Sequence, residues 1–165
     1  MAKIGSIATS QLTGLLRADQ GLPSTVANLA MVSEINLAAI TEADVLELHL
    51  AADLAEKTST VKYPAIYVYC ERVTNGLHEK FKTFAGYADL HIEVRVSHDH
   101  VDELQTQLQL YVEAVTDVLD RNRGAWSDGV FYTGGYEIVF QPVKRGGKNF
   151  LQTARVQLRT HLSVN

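Results

Sequence analysis

The sequence predicts an α+β fold: a mainly antiparallel sheet of about four strands, a long helix packed on one face, and short N-terminal helices. Two adjacent patterns carry this prediction. Between residues 87 and 97 apolar and polar side chains alternate, which is the period of a strand with one buried face. Between residues 99 and 121 apolar side chains recur at three and four, which indicates an amphipathic helix. We expect Asp99 to cap this helix and Gly124 to follow its end.

Two short helices are expected at the N-terminus. Apolar side chains share one face between residues 4 and 18, and a second helix opens at Pro23 or Ser24. Residues 1–34 then form an arm that either packs on its own chain or docks on a neighbouring subunit. The chain, residues 1–165, is expected to be a single domain, with its sheet-and-helix core in residues 60–165.

The stretch from residue 35 to residue 57 has two interpretations. Thr41 resembles a helix cap, because Asp44 follows it at capping-box spacing. A partial alternation between Val45 and Leu50 instead indicates a strand. The Ala- and Leu-rich segment that follows favours the helix.

A second strand is expected between residues 63 and 70, where β-branched and aromatic residues follow Pro64. Its two faces are both apolar, which indicates a central position and makes Cys70 a small buried residue. Residues 71–86 are predicted to be a polar connection that turns at Asn75-Gly76. Within it, Phe81 and Phe84 are expected to pack back on the core.

The C-terminal part predicts a β-hairpin. Residues 124–135 are rich in glycine and aromatic residues, and they form either a loop folded over the core edge or an exposed contact loop. A strand follows in residues 136–143, the segment Lys-Arg-Gly-Gly-Lys at residues 144–148 interrupts it, and a long strand covers residues 150–164.

Composition limits the possible functions. The net charge of −4 does not favour a general binder of nucleic-acid phosphates. Cys70 is the only cysteine, so an intrachain disulfide and a cysteine-rich zinc site are excluded, and a reducing cytoplasm is the expected place of folding. The N-terminus lacks the apolar run of a secretory signal, and no stretch reaches the roughly 20 apolar residues of a membrane span.

Motifs of catalysis or metal binding are weak. His98 and His100 would point the same way on an extended segment, but two histidines alone make a poor metal site. The segment at residues 144–148 lacks the spacing of a phosphate-binding P-loop. We therefore expect no catalytic residue, no cofactor and no metal, and a chain that is not an enzyme. Acidic residues in the first half and basic residues in the second suggest complementary charges between copies.

Four local phrases resemble the neck and tail-completion proteins of tailed bacteriophages. They are YPAIYVYCERVTN, FAGYADLHIEVRVS, RGAWSDGVFYTGGYEIVF and KRGGKNFLQTARVQL, and together they fall within residues 60–165. The functional group that they resemble most is the tail terminator. The resemblance implies a structural virion protein that closes into a ring, usually a hexamer, caps the tail tube and joins it to the head connector.

The resemblance also implies partners and contact residues. The partners are other copies of the chain, the tail tube protein, the head connector or stopper protein, and DNA that passes through the lumen without specific binding; no membrane is involved. The place is the virion neck, after synthesis in the host cytoplasm. Candidate contacts are the loop aromatics, the cations of the interrupting segment and outward residues of the first strand: Trp126, Phe131, Tyr132, Lys144, Arg145, Lys148, His91, Glu93 and Arg95.

Two alternatives stay open. The first is another virion component, a head-completion or stopper protein or a minor tail protein. The second belongs to a different class, a small ligand- or metal-binding α+β domain or enzyme. Its best candidates for a site would be His98, His100 and residues 144–148.

Overall fold

A computed structural model describes residues 3–51, 54–55, 61–76 and 81–165. The helices within these ranges are α1 (Ile4–Arg17), α2 (Leu22–Ser33) and α3 (Val101–Arg121). The strands are β1 (Val45–Glu47), β2 (Ala65–Asn75), β3 (Phe84–His98), β4 (Gly124–Ala125), β5 (Val130–Phe140), β6 (Lys144–Gly146) and β7 (Asn149–Val164). None of the described helices combines the length and the apolar character that crossing a membrane requires.

The α+β class is confirmed, but the sheet differs from the expected one. Its seven strands run in the order β1-β2-β3-β7-β5-β4, and β6 pairs with β7 beside β5. The β1–β2 pair is parallel and the remaining pairs are antiparallel, so the sheet is mixed. The expectation of about four antiparallel strands was wrong because β1, β4 and β6 have only two or three residues each, too few to show a period.

Strands β3 and β7 form the spine of the sheet. They pair without a break from Phe84 opposite Val164 to His98 opposite Phe150. One face of this pair is apolar and fully buried, as at Ile92 and Val156. Helix α3 packs on this face through an apolar stripe, and α1 packs beside it with Leu12 and Leu16 buried. The N-terminal helices therefore contribute to the core of their own chain.

The long helix is confirmed, but its predicted cap was wrong. The N-cap position is His100, and no side chain caps it. The Asp99 carboxylate lies 3.0 Å from Nδ1 of His98 instead, and the His100 amide N–H donates to that same nitrogen. His98 therefore binds the amide of the N-cap residue, and Asp99 does not cap the helix.

Residues 41–47 form a short turn and a strand, so the helix that the sequence favoured here was wrong. Thr41 and Asp44 do form a capping box, as predicted, but it opens only the short 3₁₀ turn Glu42–Asp44. The competing strand interpretation is correct for Val45–Glu47, which pairs with β2. Tertiary contacts decide the outcome, because Val45 is fully buried and its carbonyl accepts hydrogen bonds from the Arg17 guanidinium. Much of the Ala- and Leu-rich segment lies outside the described residues.

The connection predicted after β2 was also partly wrong. Strand β2 continues to Asn75, with a β-bulge between Cys70 and Arg72. Phe84 packs in the core as expected, whereas Phe81 is 93% exposed. Cys70 is half-buried, and burial raises the pKa of its thiol.

Candidate functional site

The face of the sheet opposite the helices carries a dense set of charged side chains, which we call the polar face. It is built from alternate residues of three neighbouring strands, which the register places side by side. These residues are Tyr67 and Tyr69 of β2, Asp89, His91, Glu93 and Arg95 of β3, and Arg155, Gln157 and Arg159 of β7. Two ion-pair groups lie on it, one buried and one exposed.

Glu93 is the centre of the buried group. Its carboxylate accepts hydrogen bonds from Nη2 of Arg95 at 2.6 Å, from Nη2 of Arg155 at 3.0 Å and from the hydroxyl of Tyr69 at 2.9 Å. Glu93 is 6% exposed and Arg95 2% exposed, so this pair is shielded from water. A buried pair with these partners holds its geometry because either charge alone would be costly.

The pKa values of this group follow from its contacts. Burial disfavours the charged form of Glu93, but the hydrogen bonds from Arg95 and Tyr69 outweigh burial and hold the pKa of the carboxyl below its usual range. Burial and the bond to Glu93 raise the pKa of Tyr69. Glu93 is therefore a carboxylate and Tyr69 a neutral phenol near neutral pH.

Residues 48–51 cross the polar face and close over Arg95. The carbonyl of Leu50 accepts a hydrogen bond from Nη2 of Arg95. The Arg95 guanidinium lies over the Tyr67 ring at 4.1 Å, and His49 stacks on Tyr69 with ring centres 3.8 Å apart. Nε and Nη1 of Arg95 are buried without a hydrogen-bond partner. Arg95 therefore fixes this crossing segment to the sheet.

His91 lies on the other side of the same ring stack. It is 2% exposed, stacks on Tyr69 at 5.2 Å, and its Nε2 lies 2.9 Å from the Glu71 carboxylate. Its Nδ1 is buried without a partner, so a second proton there would have no acceptor. Burial lowers the pKa of His91 despite the attraction of Glu71.

Three of the predicted contact residues are thus corrected. His91, Glu93 and Arg95 were expected to point outward toward other subunits, and all three are buried. The physical reason is that the segment at 48–51 folds over their strand and that Arg155 pairs with Glu93 from β7. They stabilise the fold and offer no free surface.

The second ion-pair group is exposed. Nε of Arg159 lies 2.7 Å from the Asp89 carboxylate, and Arg72 approaches the same carboxylate at 3.9 Å. The guanidinium of Arg159 also lies 5.2 Å from the centre of the Tyr87 ring. The arginines of the polar face are therefore paired with acids of their own chain.

The candidates for a ligand or metal site are the pocket beside the basic segment and the pair His98 and His100. The pocket, of about 310 Å³, lies between the crossing segment and β6, and Arg95, Lys144 and Arg155 are among the residues that line it. His98 lies between the carboxylates of Asp99 and Glu103, at 3.0 and 3.1 Å. The described part of the chain contains no group of three or more His, Cys, Asp or Glu able to hold a metal ion.

The three loop aromatics have different positions. Trp126 is half-buried, and its Nε1–H donates to the carbonyl of Asn122 at 2.8 Å. Phe131 is 46% exposed. Tyr132 is 0% exposed, and burial raises its pKa to about 12. Tyr132 is therefore a core residue, which corrects its expected place in a contact surface, whereas Phe131 has surface to offer.

The predicted basic segment is a hairpin tip. β6 pairs with the start of β7, and Gly147 turns with a φ of 68°. Lys144, Arg145 and Lys148 are exposed, and within the described ranges none of them has an ion-pair partner. We call these three residues the basic tip.

Sequence reasoning missed the central role of Arg155 and Tyr69. The sequence places both residues on strands, which the structure confirms. What the residues alone lacked was the register between β3 and β7, which sets Glu93 opposite Arg155 and Asp89 opposite Arg159. Opposite charges directly across two strands are the signal that a register would have shown.

Comparison with known proteins adds little. No protein-family profile matches the sequence, and no curated protein matches it. One similar solved structure is a chain from the virion of a native gene transfer agent particle. That chain is 16% identical, the alignment covers 96% of each chain, and the TM-score is 0.44. A likeness this distant assigns no function.

Proposed function

We propose that this chain is a structural virion protein of the phage neck, a tail terminator that acts as a ring of identical subunits. The local phrases in residues 60–165 that resemble this family support the proposal. The observation that carries it is the distribution of charged side chains that have no ion-pair partner among the described residues. The basic tip lies on the β5 side of the sheet, and exposed Glu42 and Glu47 lie at the β1 edge.

A ring of identical subunits needs two different surfaces that fit each other. Head-to-tail contacts of this kind close into a ring when the rotation allows it. Opposite charges on the two sides of the sheet favour such contacts. Phe131 supplies exposed apolar area on the β5 side of the sheet, and Leu46 and Leu48 supply it at the β1 edge.

The polar face suits the lumen of such a ring. At its exposed positions Arg159 and Arg72 are paired with Asp89, and the partly exposed Arg155 is paired with Glu93. Paired arginines leave little net positive charge for phosphates, so DNA would pass without adhering. In this assembly the partners are other copies, the tail tube protein and the head connector.

Charge reversal tests the proposal. Replacing Lys144, Arg145 and Lys148 by Glu should abolish ring formation, measured by native mass spectrometry, and give over-long tails without heads in electron micrographs of the phage. The complementary variant replaces Glu42 and Glu47 by Lys, and it should also abolish ring formation. Combining both sets in one chain should restore rings, because the two surfaces are again complementary.

The outcomes separate the alternatives. Normal tail length and normal head joining with the reversed basic tip would contradict the proposal. Empty heads that leak DNA would instead indicate a stopper protein. Bound metal in the purified protein would favour the ligand- or metal-binding class.

A further inference from the structure

The outer edge of β5 between Tyr136 and Phe140 has no strand partner within the described residues. β7 pairs with the inner edge along this stretch, and β4 covers only Phe131 and Tyr132 on the outer edge. Tyr136 is 37% exposed and Phe140 46% exposed. An open edge with exposed aromatic side chains is a template for pairing with another strand.

The hydrogen-bonding direction of this edge follows from one bond. The Gln141 N–H donates to the carbonyl of Thr153 at 2.9 Å, in register with the β5–β7 ladder. In an antiparallel pair, residues alternate between facing the partner and facing away. Val139 and Glu137 therefore bond to β7, and the backbone groups of residues 136, 138 and 140 point outward. The edge presents alternating donors and acceptors at strand spacing.

Other edges of the sheet carry protection that this one lacks. β1 is three residues long, and its Val45 carbonyl is occupied by Arg17. The free part of β2 is interrupted by the β-bulge before Arg72. Residues 136–140 have one charge, no proline and no bulge. Pro142 ends the available stretch on one side, and the Arg123 side chain packs against Gly134 on the other.

We propose that this edge pairs with the same edge of a second copy, antiparallel, about a two-fold axis at Ile138. In this register Ile138 faces its own copy and Tyr136 faces Phe140, with about six backbone hydrogen bonds across the axis. Tyr136 and Phe140 form aromatic cross-strand pairs, and Glu137 stands opposite Val139. The sheet becomes continuous through both copies.

The neighbouring registers are poorer. A two-fold axis at Glu137 would set that carboxylate opposite its own copy, which is repulsive. An axis at Val139 would set Tyr136 opposite Pro142, which has no N–H to donate. Only the axis at Ile138 uses all three outward residues without a charge conflict.

This contact goes beyond the proposed function and does not depend on it. A two-fold contact closes with two copies, so by itself it cannot produce a head-to-tail ring. It is a contact of the free chain, or between rings, and it uses neither the basic tip nor the acidic residues at the β1 edge.

Substitution of Val139 tests the register. In the dimer, Val139→Glu places a carboxylate opposite Glu137 of the second copy at two symmetry-related positions. The dissociation constant of the dimer, measured by sedimentation equilibrium, should rise about tenfold. Val139→Lys should keep or tighten the dimer. Within the chain Val139 stands opposite Arg155, so a purely structural effect would favour Glu over Lys. The double variant Glu137→Lys with Val139→Glu should restore the dimer.

Hydrogen exchange gives a second measurement. In the dimer the amides of residues 136, 138 and 140 should gain protection with rising concentration, while those of Glu137 and Val139 are protected throughout. A wild-type chain that stays monomeric up to its solubility limit would overturn the inference, as would equal effects of the two Val139 variants. Rings that assemble unchanged in both variants, with no dimer in any sample, would overturn it and leave the proposed function intact.

Discussion

Removing the charge of Glu93 should destabilise the fold far more than removing the charge of a comparable exposed acid. In Glu93→Gln, Arg95 keeps its charge while its side chain is 3% exposed, and it loses the one ion-pair partner it has among the described residues. Breaking a buried pair in this way costs about 3–5 kcal/mol. Arg155 is 34% exposed and can turn toward water, which favours the lower value, about 3 kcal/mol.

Asp89→Asn is the matched control on the same sheet face. Asp89 also accepts two hydrogen bonds from an arginine of β7, but Arg159 is 57% exposed. An exposed pair contributes about 1 kcal/mol or less, so this variant should be close to the wild type. For a chain of this size, 3 kcal/mol corresponds to a fall in Tm of about 6–12 °C, which urea and thermal unfolding both measure.

The pH dependence provides an internal check. Because the pKa of Glu93 is lower in the folded state than in the unfolded chain, its stabilising effect is present above the unfolded pKa of about 4.3. The effect is lost as the pH falls through the folded pKa. The difference between wild type and Glu93→Gln should therefore shrink in acid. Equal losses in the Glu93 and Asp89 variants, or a difference that does not change with pH, would refute this reasoning.

Three further predictions use other parts of the fold. Burial lowers the pKa of His91, so wild-type stability should fall as the pH drops below about 6.5, and His91→Gln should flatten that slope in urea unfolding; an unchanged slope would contradict it. Gly86→Ala should cost about 3 kcal/mol or more, because its Cβ would lie 1.8 Å from the Thr74 carbonyl, whereas Gly14→Ala has open space and should stabilise α1 by about 0.5–1 kcal/mol. Tyr132→Ala should lose about 3–5 kcal/mol by calorimetry, and Phe131→Ala about 1 kcal/mol or less; similar losses would mean that their burial is misassigned.

The long elements were predictable from the residues because each has enough length to show a period. β3, β7 and α3 follow their alternating or helical patterns closely, and the apolar side of each faces the core. The sequence could not distinguish the 3₁₀ turn and β1 from an α-helix, because a capping box can begin a 3₁₀ turn as well as an α-helix. The contact with Arg17 that decides for the strand comes from α1, outside any local window.

The candidate site was less predictable than the fold. The basic tip could be found from residues 144–148 alone, since a turn with three cations has no local acid beside it. The burial of Glu93 could not be predicted from the residues of its own strand. Their alternation predicts one polar face, and the shielding of that face comes from residues 48–51 and from Arg155. Burial of a polar residue depends on what crosses it, and that is set by tertiary contacts.

The pairing of β3 with β7 also determines how this chain must fold. Phe84 meets Val164 and His98 meets Phe150, so the spine joins two strands that α3, β4, β5 and β6 separate along the chain. Closing loops of this length is entropically costly and slows folding relative to helical proteins. Until β7 docks, the edge of β3 and the edge of β5 that will face it are open to strands of other unfinished chains. Faster docking of β7, compared with association between unfinished copies, therefore favours native protein over aggregates.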